Sequence, residues 1–167
     1  MTRIKSGFTL IEIMVVLALF ALVVTLGMIQ LSFLDNTIVH AEVDKLAITC
    51  SYLQQKAIAS NSEQILKCDV EKKRYCGDNV NETLSPRVCF GYLSNVLGSP
   101  GSPSRVITKA ITFPGSSIHF YPTGTISSGT AYLTDKNKKN MYALSNAVSQ
   151  VSYLRLYRYD GKWKLLD

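Results

Sequence analysis

Residues 7–34 read GFTLIEIMVVLALFALVVTLGMIQLSFL and follow the short basic leader MTRIKS. Between Lys5 and Asp35 the only charged side chain is that of Glu12, which lies at the start of the uncharged, mainly apolar run Ile13–Leu34. A carboxylate in such a segment is costly in lipid, so its presence indicates a function and a partner. The run has 22 residues, and about 20 apolar residues are enough for a helix to cross a bilayer.

Two ordinary kinds of N-terminal segment share some of these features. A secretory signal peptide fits poorly, because its apolar region is usually about 7–15 residues long and ends at an A-x-A-like cleavage site, which this run lacks. A plain membrane anchor fits the length of the run. In that case Arg3 and Lys5 would hold the N-terminus in the cytoplasm and place the residues after Asp35 outside it.

A third interpretation comes from the string Gly7-Phe8-Thr9-Leu10-Ile11-Glu12, which resembles the processing site of type IV prepilins and type II secretion pseudopilins. The resemblance implies that a prepilin peptidase cuts between Gly7 and Phe8 and methylates the new N-terminus. Glu12 lies four residues after Phe8, on the same side of a helix. In a filament its carboxylate would pair with the Phe8 amine of a neighbouring subunit and fix the axial register, because a buried unpaired charge costs several kcal/mol. At a membrane surface it would instead be protonated or would reach towards water.

The four cysteines occur in the roughly 130 residues after the apolar run, a length that suffices for one small domain. An even number of cysteines in an exported domain favours disulfides. Cys68 and Cys76 flank the polar, turn-like stretch Asp69–Tyr75 and are predicted to pair. Cys50 and Cys89 form a second candidate pair, unless Cys50 is a buried free thiol, and the sequence does not choose among the three possible pairings. The gap from Cys68 to Cys76 is wider than that of a zinc knuckle, so no metal site is predicted.

After the apolar run, apolar residues recur at alternating steps of four and three, the pattern of a single buried stripe on a helix. They are Val39, Val43, Leu46, Cys50, Leu53 and Ala57. No proline interrupts the chain from Phe8 to about Ser60, so one helix is predicted to begin in the apolar run and to continue into a globular head. From Glu63 onward, short strands alternate with turns. The predicted strands are Gln64–Cys68, Arg87–Leu93, Val106–Phe113, Ser117–Tyr121, Gly129–Thr134, Asn140–Ser145, Val151–Tyr159 and Lys162–Leu166.

These elements predict an α+β fold, in which a long N-terminal helix packs on an antiparallel β-sheet head, and the resemblance to prepilins implies that this fold is pilin-like. We expect four segments along the chain. They are the prepilin leader 1–7, a transmembrane or filament-core helix 8–34, its amphipathic continuation 35–62 and a β-rich periplasmic head 63–167.

The head resembles the GspH/FimT group of minor pilins and pseudopilins. The likeness is carried by Cys68 and Cys76, by Phe90-Gly91-Tyr92-Leu93, by the F-x-P-x-G segment in Ile118–Gly124 and by the GT-x-x-L strand Gly129–Leu133. The Gly-Arg-x-Arg-like turn that many members carry near the C-terminus has no counterpart in residues 151–158. The resemblance implies a minor subunit of a type II secretion pseudopilus or a type IV pilus. Its partners would be the prepilin peptidase, the inner membrane, which it crosses once, and other pilins.

DNA binding, as in uptake pili, is an alternative function. The net charge falls from +6 to +4 without the leader, and residues 130–167 alone carry an excess of +4. Alternation around the turn Asp160-Gly161 places basic and aromatic side chains on one face of a hairpin, a combination that suits phosphate contact and base stacking. The candidate contacts are Arg155, Tyr157, Tyr159, Lys162 and Lys164, with Leu154, Leu156, Arg158, Trp163 and Leu165 as the predicted core face. The same pattern also suits a solvated sheet face with stabilising cross-strand pairs.

An enzymatic function is not expected. The two histidines, His40 and His119, have no nearby nucleophile or carboxylate at a spacing typical of a catalytic triad or a metal site. The chain also lacks a glycine loop of the phosphate-binding type, so the sequence predicts no cofactor.

Overall fold

The structure, a computed structural model, describes residues 9–98, 105–146 and 152–166, and within the helix it leaves out the side chains of residues 26–33. The chain divides into two compact units, Met1–Leu34 and Asp35–Asp167. One helix, α1 (Leu10–Ser60), contributes residues to both units. Among the described residues, no helix has both the length and the hydropathy that crossing a membrane requires.

The second unit contains two antiparallel sheets. The strands of the first sheet are β1 (Gln64–Asp69), β2 (Arg74–Gly77), β3 (Val80–Thr83) and β5 (Ser117–Phe120), in the order β3-β2-β1-β5. The strands of the second sheet are β4 (Val88–Phe90), β6 (Gly129–Asp135), β7 (Met141–Asn146), β8 (Arg155–Tyr159) and β9 (Trp163–Leu166), in the order β4-β6-β7-β8-β9. A long N-terminal helix followed by antiparallel sheets confirms the predicted α+β, pilin-like fold class.

The main core lies where α1 meets both sheets. The predicted stripe of α1 is at most 1% exposed along its whole length, and its members are Val39, Val43, Leu46, Cys50, Leu53 and Ala57. Leu66 and Tyr75 of the first sheet, and Leu133 and Leu144 of the second, belong to the same cluster. Full burial of one large aliphatic side chain contributes about 1.5–3 kcal/mol, so this stripe is a major source of the stability of the second unit.

Charged side chains beside the stripe attach α1 to the hairpin formed by β2 and β3. The Lys45 Nζ lies 2.6 Å from the Glu82 Oε2, and the Lys56 Nζ lies 2.6 Å from the Asp78 Oδ2. Exposed ion pairs of this kind contribute only about 0–1 kcal/mol each. They therefore orient the hairpin on the helix more than they stabilise the fold.

The β2–β3 hairpin corrects the prediction that Asp69–Tyr75 is a turn. The turn itself is shorter, and β2 begins at Arg74. Tyr75 is the one fully buried residue among the eight of these two strands. The two strands are joined through Asn79, which adopts the left-handed backbone conformation (φ 58°) that asparagine tolerates. A single buried side chain gives too weak an alternation for a strand to be recognised from the sequence.

The sequence predicts a strand over Val106–Phe113, and this prediction is wrong. The segment forms only isolated bridges, one of them between Ile111 and Ala131 of β6. β4 already pairs with β6 from Leu133 to Asp135. The segment Val106–Phe113 can therefore pair only with the rest of this edge of β6. A continuous ladder therefore does not form.

Two further predicted strands are shorter than expected. β4 ends at Phe90 rather than Leu93, and β8 begins at Arg155. Residue 151, the predicted start of β8, lies outside the described residues. The other predicted strands agree with the observed ones to within a residue at each end.

A second, smaller cluster lies against the second sheet. Its buried members are Val96, Ile107, Tyr132, Met141 and Ala143, and the partly buried residues packed against it are Tyr92, Leu93, Tyr157, Tyr159 and Trp163. Nearly every residue of β6 and β7 is buried, because the main core covers one face of these strands and the second cluster covers the other. The C-terminal hairpin is thereby part of the packed head.

Leu53→Ala is expected to lower the free energy of unfolding by about 3 kcal/mol, because it leaves a cavity at the centre of the main core. Ile48→Ala is the matched control on the same helix, since Ile48 is 70% exposed, and it should change stability by less than about 0.5 kcal/mol. Equilibrium unfolding in urea, followed by circular dichroism, measures both values. Equal losses in the two variants would contradict this placement of the helix.

Candidate functional site

The first described turns of α1 expose an apolar surface. Every side chain from Leu10 to Thr25 is exposed, and the large apolar ones among them are 43–77% exposed. A helix that is apolar on all sides is stable only when lipid or protein surrounds it. This surface therefore indicates a segment that needs a hydrophobic partner.

Glu12 supplies the one charge of that surface among the described residues. The Thr9 carbonyl oxygen accepts hydrogen bonds from the N–H groups of Glu12 (3.1 Å) and Ile13 (3.3 Å), and the Thr9 N–H donates to the Glu12 Oε2 at 3.5 Å. The carboxylate thus turns back towards the N-terminal end of α1, where the helix dipole favours negative charge. The Thr9-x-x-Glu12 spacing is the sequence signal for this cap, which the sequence analysis missed.

The predicted processing residues, Gly7 and Phe8, lie outside the described residues. A family model, the prokaryotic N-terminal methylation motif, matches residues 2–28, a range that includes both of them and Glu12. The N-terminal segment of the protein is type IV prepilin-like. No match was found among curated proteins or among solved structures. The prepilin-like features are thus the matched N-terminal motif and the α+β, pilin-like architecture.

The candidate DNA contacts lie in the hairpin of β8 and β9, whose register differs from the predicted one. Tyr159 pairs with Trp163, so three residues, Asp160–Lys162, connect the two strands. The Asp160 N–H closes this turn by donating to the Lys162 carbonyl at 3.0 Å. A two-residue turn at Asp160-Gly161 would have paired Tyr159 with Lys162. A shift of one residue moves every side chain of β9 to the opposite face of the sheet.

The register divides the five candidate residues between different surroundings. Tyr157 and Tyr159 pack against the second cluster together with Trp163. Lys164 lies opposite Arg158, on the other face, and its ammonium group pairs with Asp160 at 2.9 Å. Lys162 lies in the turn, and Arg155 stacks over the ring of the exposed Tyr153, 4.9 Å from its centroid. The predicted face that would combine all five residues is therefore not formed.

All four cysteines are free thiols, so the predicted Cys68–Cys76 bond is not present. Cys68 lies opposite Tyr75, and Cys76 lies opposite Lys67. Side chains directly opposite each other share a face of the sheet. Cys68 is therefore on the buried face with Tyr75, and Cys76 is on the solvent face with Lys67.

The candidate pair Cys50–Cys89 is also absent. Cys50 is fully buried in the main core. Cys89 alternates with the buried Val88 and Phe90 and so points away from that core. Its Sγ instead lies 3.5 Å from the Thr134 Oγ1. The second sheet thus separates the two thiols.

Burial suppresses the acidity of the two core thiols. It raises the pKa of Cys68 to about 12 and raises the pKa of Cys50 well above its ordinary value. Because the thiolate is the reactive form of cysteine, both groups are inert in the folded protein near neutral pH.

The two histidines each contact a carboxylate, at separate places in the head. The His119 Nδ1 lies 2.6 Å from the Glu63 Oε1, and the His40 Nδ1 lies 3.0 Å from the Asp44 Oδ2. In the described part of the chain, no three histidine, cysteine or acidic side chains are grouped as a metal site requires.

Tyr159→Ala is expected to lower the free energy of unfolding by about 2 kcal/mol, because the Tyr159 ring packs edge-on against Trp163 with centroids 5.2 Å apart. Tyr153→Ala is the control, since Tyr153 is 51% exposed, and it should cost less than about 0.5 kcal/mol. Fluorescence of Trp163, the single tryptophan, follows unfolding in urea. An unchanged stability of the Tyr159 variant would contradict its packing role and would favour a surface role for this ring.

Proposed function

We propose that the protein is a minor pilin or pseudopilin. It is a structural subunit rather than an enzyme, and it assembles with other pilins into a type II secretion pseudopilus or a type IV pilus. The observation that carries the proposal is the methylation motif at residues 2–28, together with a helix that is apolar on every described side and bears one carboxylate.

Before assembly, the inner membrane holds the subunit through residues 8–34. Arg3 and Lys5 keep the leader in the cytoplasm, where prepilin peptidase cuts between Gly7 and Phe8, and the head lies in the periplasm. On assembly the exposed apolar surface of α1 exchanges lipid for the helices of neighbouring subunits. Because both surroundings are apolar, this exchange proceeds without exposing the segment to water.

Glu12 sets the register of a subunit in the filament. Cleavage creates an α-amino group on Phe8, one residue before Thr9, whose N–H already contacts the Glu12 carboxylate. The amine of a neighbouring subunit meets this carboxylate only at one axial position. At any other position two charges remain unpaired in an apolar environment, at a cost of several kcal/mol.

The head is then the part that faces outward and contacts other minor subunits or cargo. The DNA-contact alternative is not included in the proposal, because Tyr157 and Tyr159 are partly buried against the second cluster and Lys164 lies on the other face.

The mature chain is expected to begin at N-methylated Phe8. Intact-mass and N-terminal peptide measurements on the protein extracted from its native membrane test this. Gly7→Val should prevent cleavage, because it changes the residue directly before the cut. Ser6→Ala changes a residue one position further from the cut and should not prevent cleavage. A wild-type chain that begins at Met1 or Thr2 would contradict the proposal and would leave a plain membrane anchor.

Glu12→Ala is expected to leave membrane insertion intact and to reduce the fraction of subunit in sheared filaments by at least about tenfold, because a neighbour's amine is then left unpaired. Glu71→Gln removes an acidic group from an exposed position of the head and is the control. Immunoblots of membrane and filament fractions measure both. Normal incorporation of the Glu12 variant would count against the register role.

A further inference from the structure

We infer that Cys50 and Cys68 are the disulfide-forming pair of this chain, and that their bond joins α1 to β1 through the main core. This inference rests on the proposed function, because an exported head enters a compartment that contains thiol oxidants. The bond would be an oxidative modification of the free-thiol form described above.

Cys50 of α1 and Cys68 of β1 belong to the main core, and the packing of the two elements places neighbours of both cysteines together. A Cβ atom added to Gly77 would lie 3.4 Å from the Cδ1 atoms of both Leu53 and Leu66, so these two leucines meet at one point. Cys50 precedes Leu53 by about one helical turn on the same buried stripe. Cys68 follows Leu66 by two residues, on the same buried face of β1.

The direction of the chain relates the steps from the two leucines to the two cysteines. α1 ends at Ser60 and β1 begins at Gln64, so the short connection reverses the chain. Three residues back along the helix cover about 4.5 Å, and two residues forward along the strand cover about 6.6 Å. Both steps lead away from the connection, from Leu53 to Cys50 and from Leu66 to Cys68.

An electrostatic effect supports the proximity of the two groups. Burial is the main cause of the raised pKa of Cys50, and a negative charge on Cys68 raises this pKa further. The pKa of Cys68 is raised by burial and, to a smaller extent, by Cys76. The side chain of Cys76, however, is on the solvent face of the sheet, opposite Lys67.

The oxidation balances with an external disulfide as the electron acceptor. A thiolate of one cysteine attacks the oxidant's disulfide and forms a mixed disulfide, and the thiol of the second cysteine then displaces the oxidant. Two thiols lose two protons and two electrons, one S–S bond forms, and the oxidant's disulfide is reduced to two thiols. Because burial raises both pKa values in the folded chain, the reaction takes place while the head is folding, before the core closes around Cys50.

Trypsin separates the four cysteines, which makes the connectivity directly readable. Cleavage after lysine and arginine yields the peptides 46–56, 68–72, 75–87 and 88–105, each with one cysteine. The full chain is unfolded and reduced in detergent, refolded with a mixture of reduced and oxidised glutathione, alkylated in denaturant without reductant, and digested for mass spectrometry. The expected result is a link between peptides 46–56 and 68–72, with alkylated Cys76 and Cys89. Four alkylated cysteines, a link from 68–72 to 75–87, or a link from 46–56 to 88–105 would overturn the inference.

Reduction of the refolded chain provides a second readout. The bond closes a loop from Cys50 to Cys68, and a loop of that size should give a melting temperature roughly 10 °C higher than in the reduced chain. The double variant Cys76→Ser/Cys89→Ser should keep this difference, whereas Cys68→Ala should abolish it. A difference that disappears in the double variant would overturn the inference even if the Cys68 variant folds poorly.

The two proposals fail in different ways. An unprocessed chain that links Cys50 to Cys68 in the glutathione experiment would contradict the assembly function alone. A processed, filament-borne subunit whose chain keeps four free thiols in that experiment would contradict the disulfide alone.

Discussion

The buried stripe of α1 is the contact on which the organisation of the head depends. Six side chains between Val39 and Ala57 are removed from water, and residues of both sheets belong to the same cluster. Neither sheet is large enough to bury its own apolar face, since a sheet needs a second layer to form a core. The helix supplies that layer for both sheets at once, so a loss of packing at its centre would affect β1 and β6 together.

The N-terminal part of α1 differs from the buried stripe, because its apolar side chains are not covered by the head. From Leu10 to Thr25 its side chains are exposed and almost entirely apolar. The apolar residues of the head are satisfied by intramolecular packing, whereas those near the N-terminus require other molecules. One helix with two such different halves suits the proposed subunit, which would be stored in lipid and then built into a polymer. In the proposed filament, Glu12 adds a contact with the Phe8 amine of a neighbouring subunit. This contact sets the axial position of the subunit, which a purely apolar surface cannot do.

The C-terminal hairpin shows how strongly a surface depends on register. With a two-residue turn, the aromatic and basic residues of β8 and β9 would share a face. With the observed connection through Asp160–Lys162, Tyr159 is paired with Trp163 and is packed against the second cluster. A single extra residue in the turn moves Lys164 to the other face and brings Trp163 beside Tyr159, because side chains alternate strictly between the faces of a strand. The cysteines obey the same rule, since the register of β1 and β2 separates Cys68 from Cys76.

The sequence by itself determined the features whose signals are local and periodic. These are the prepilin-like motif, the continuous helix, the buried stripe of α1 and most of the strands, because composition and spacing along one element are enough to specify them. Only the tertiary structure decided the features that depend on pairing between elements. The β2–β3 hairpin, the isolated contacts of Val106–Phe113, the faces of β8 and β9 and the positions of the four thiols all follow from register and from competition for strand edges. The physical reason is that hydrophobic periodicity identifies which side of an element is buried, whereas the partner of each residue is set by turn length and by the packing of the whole domain.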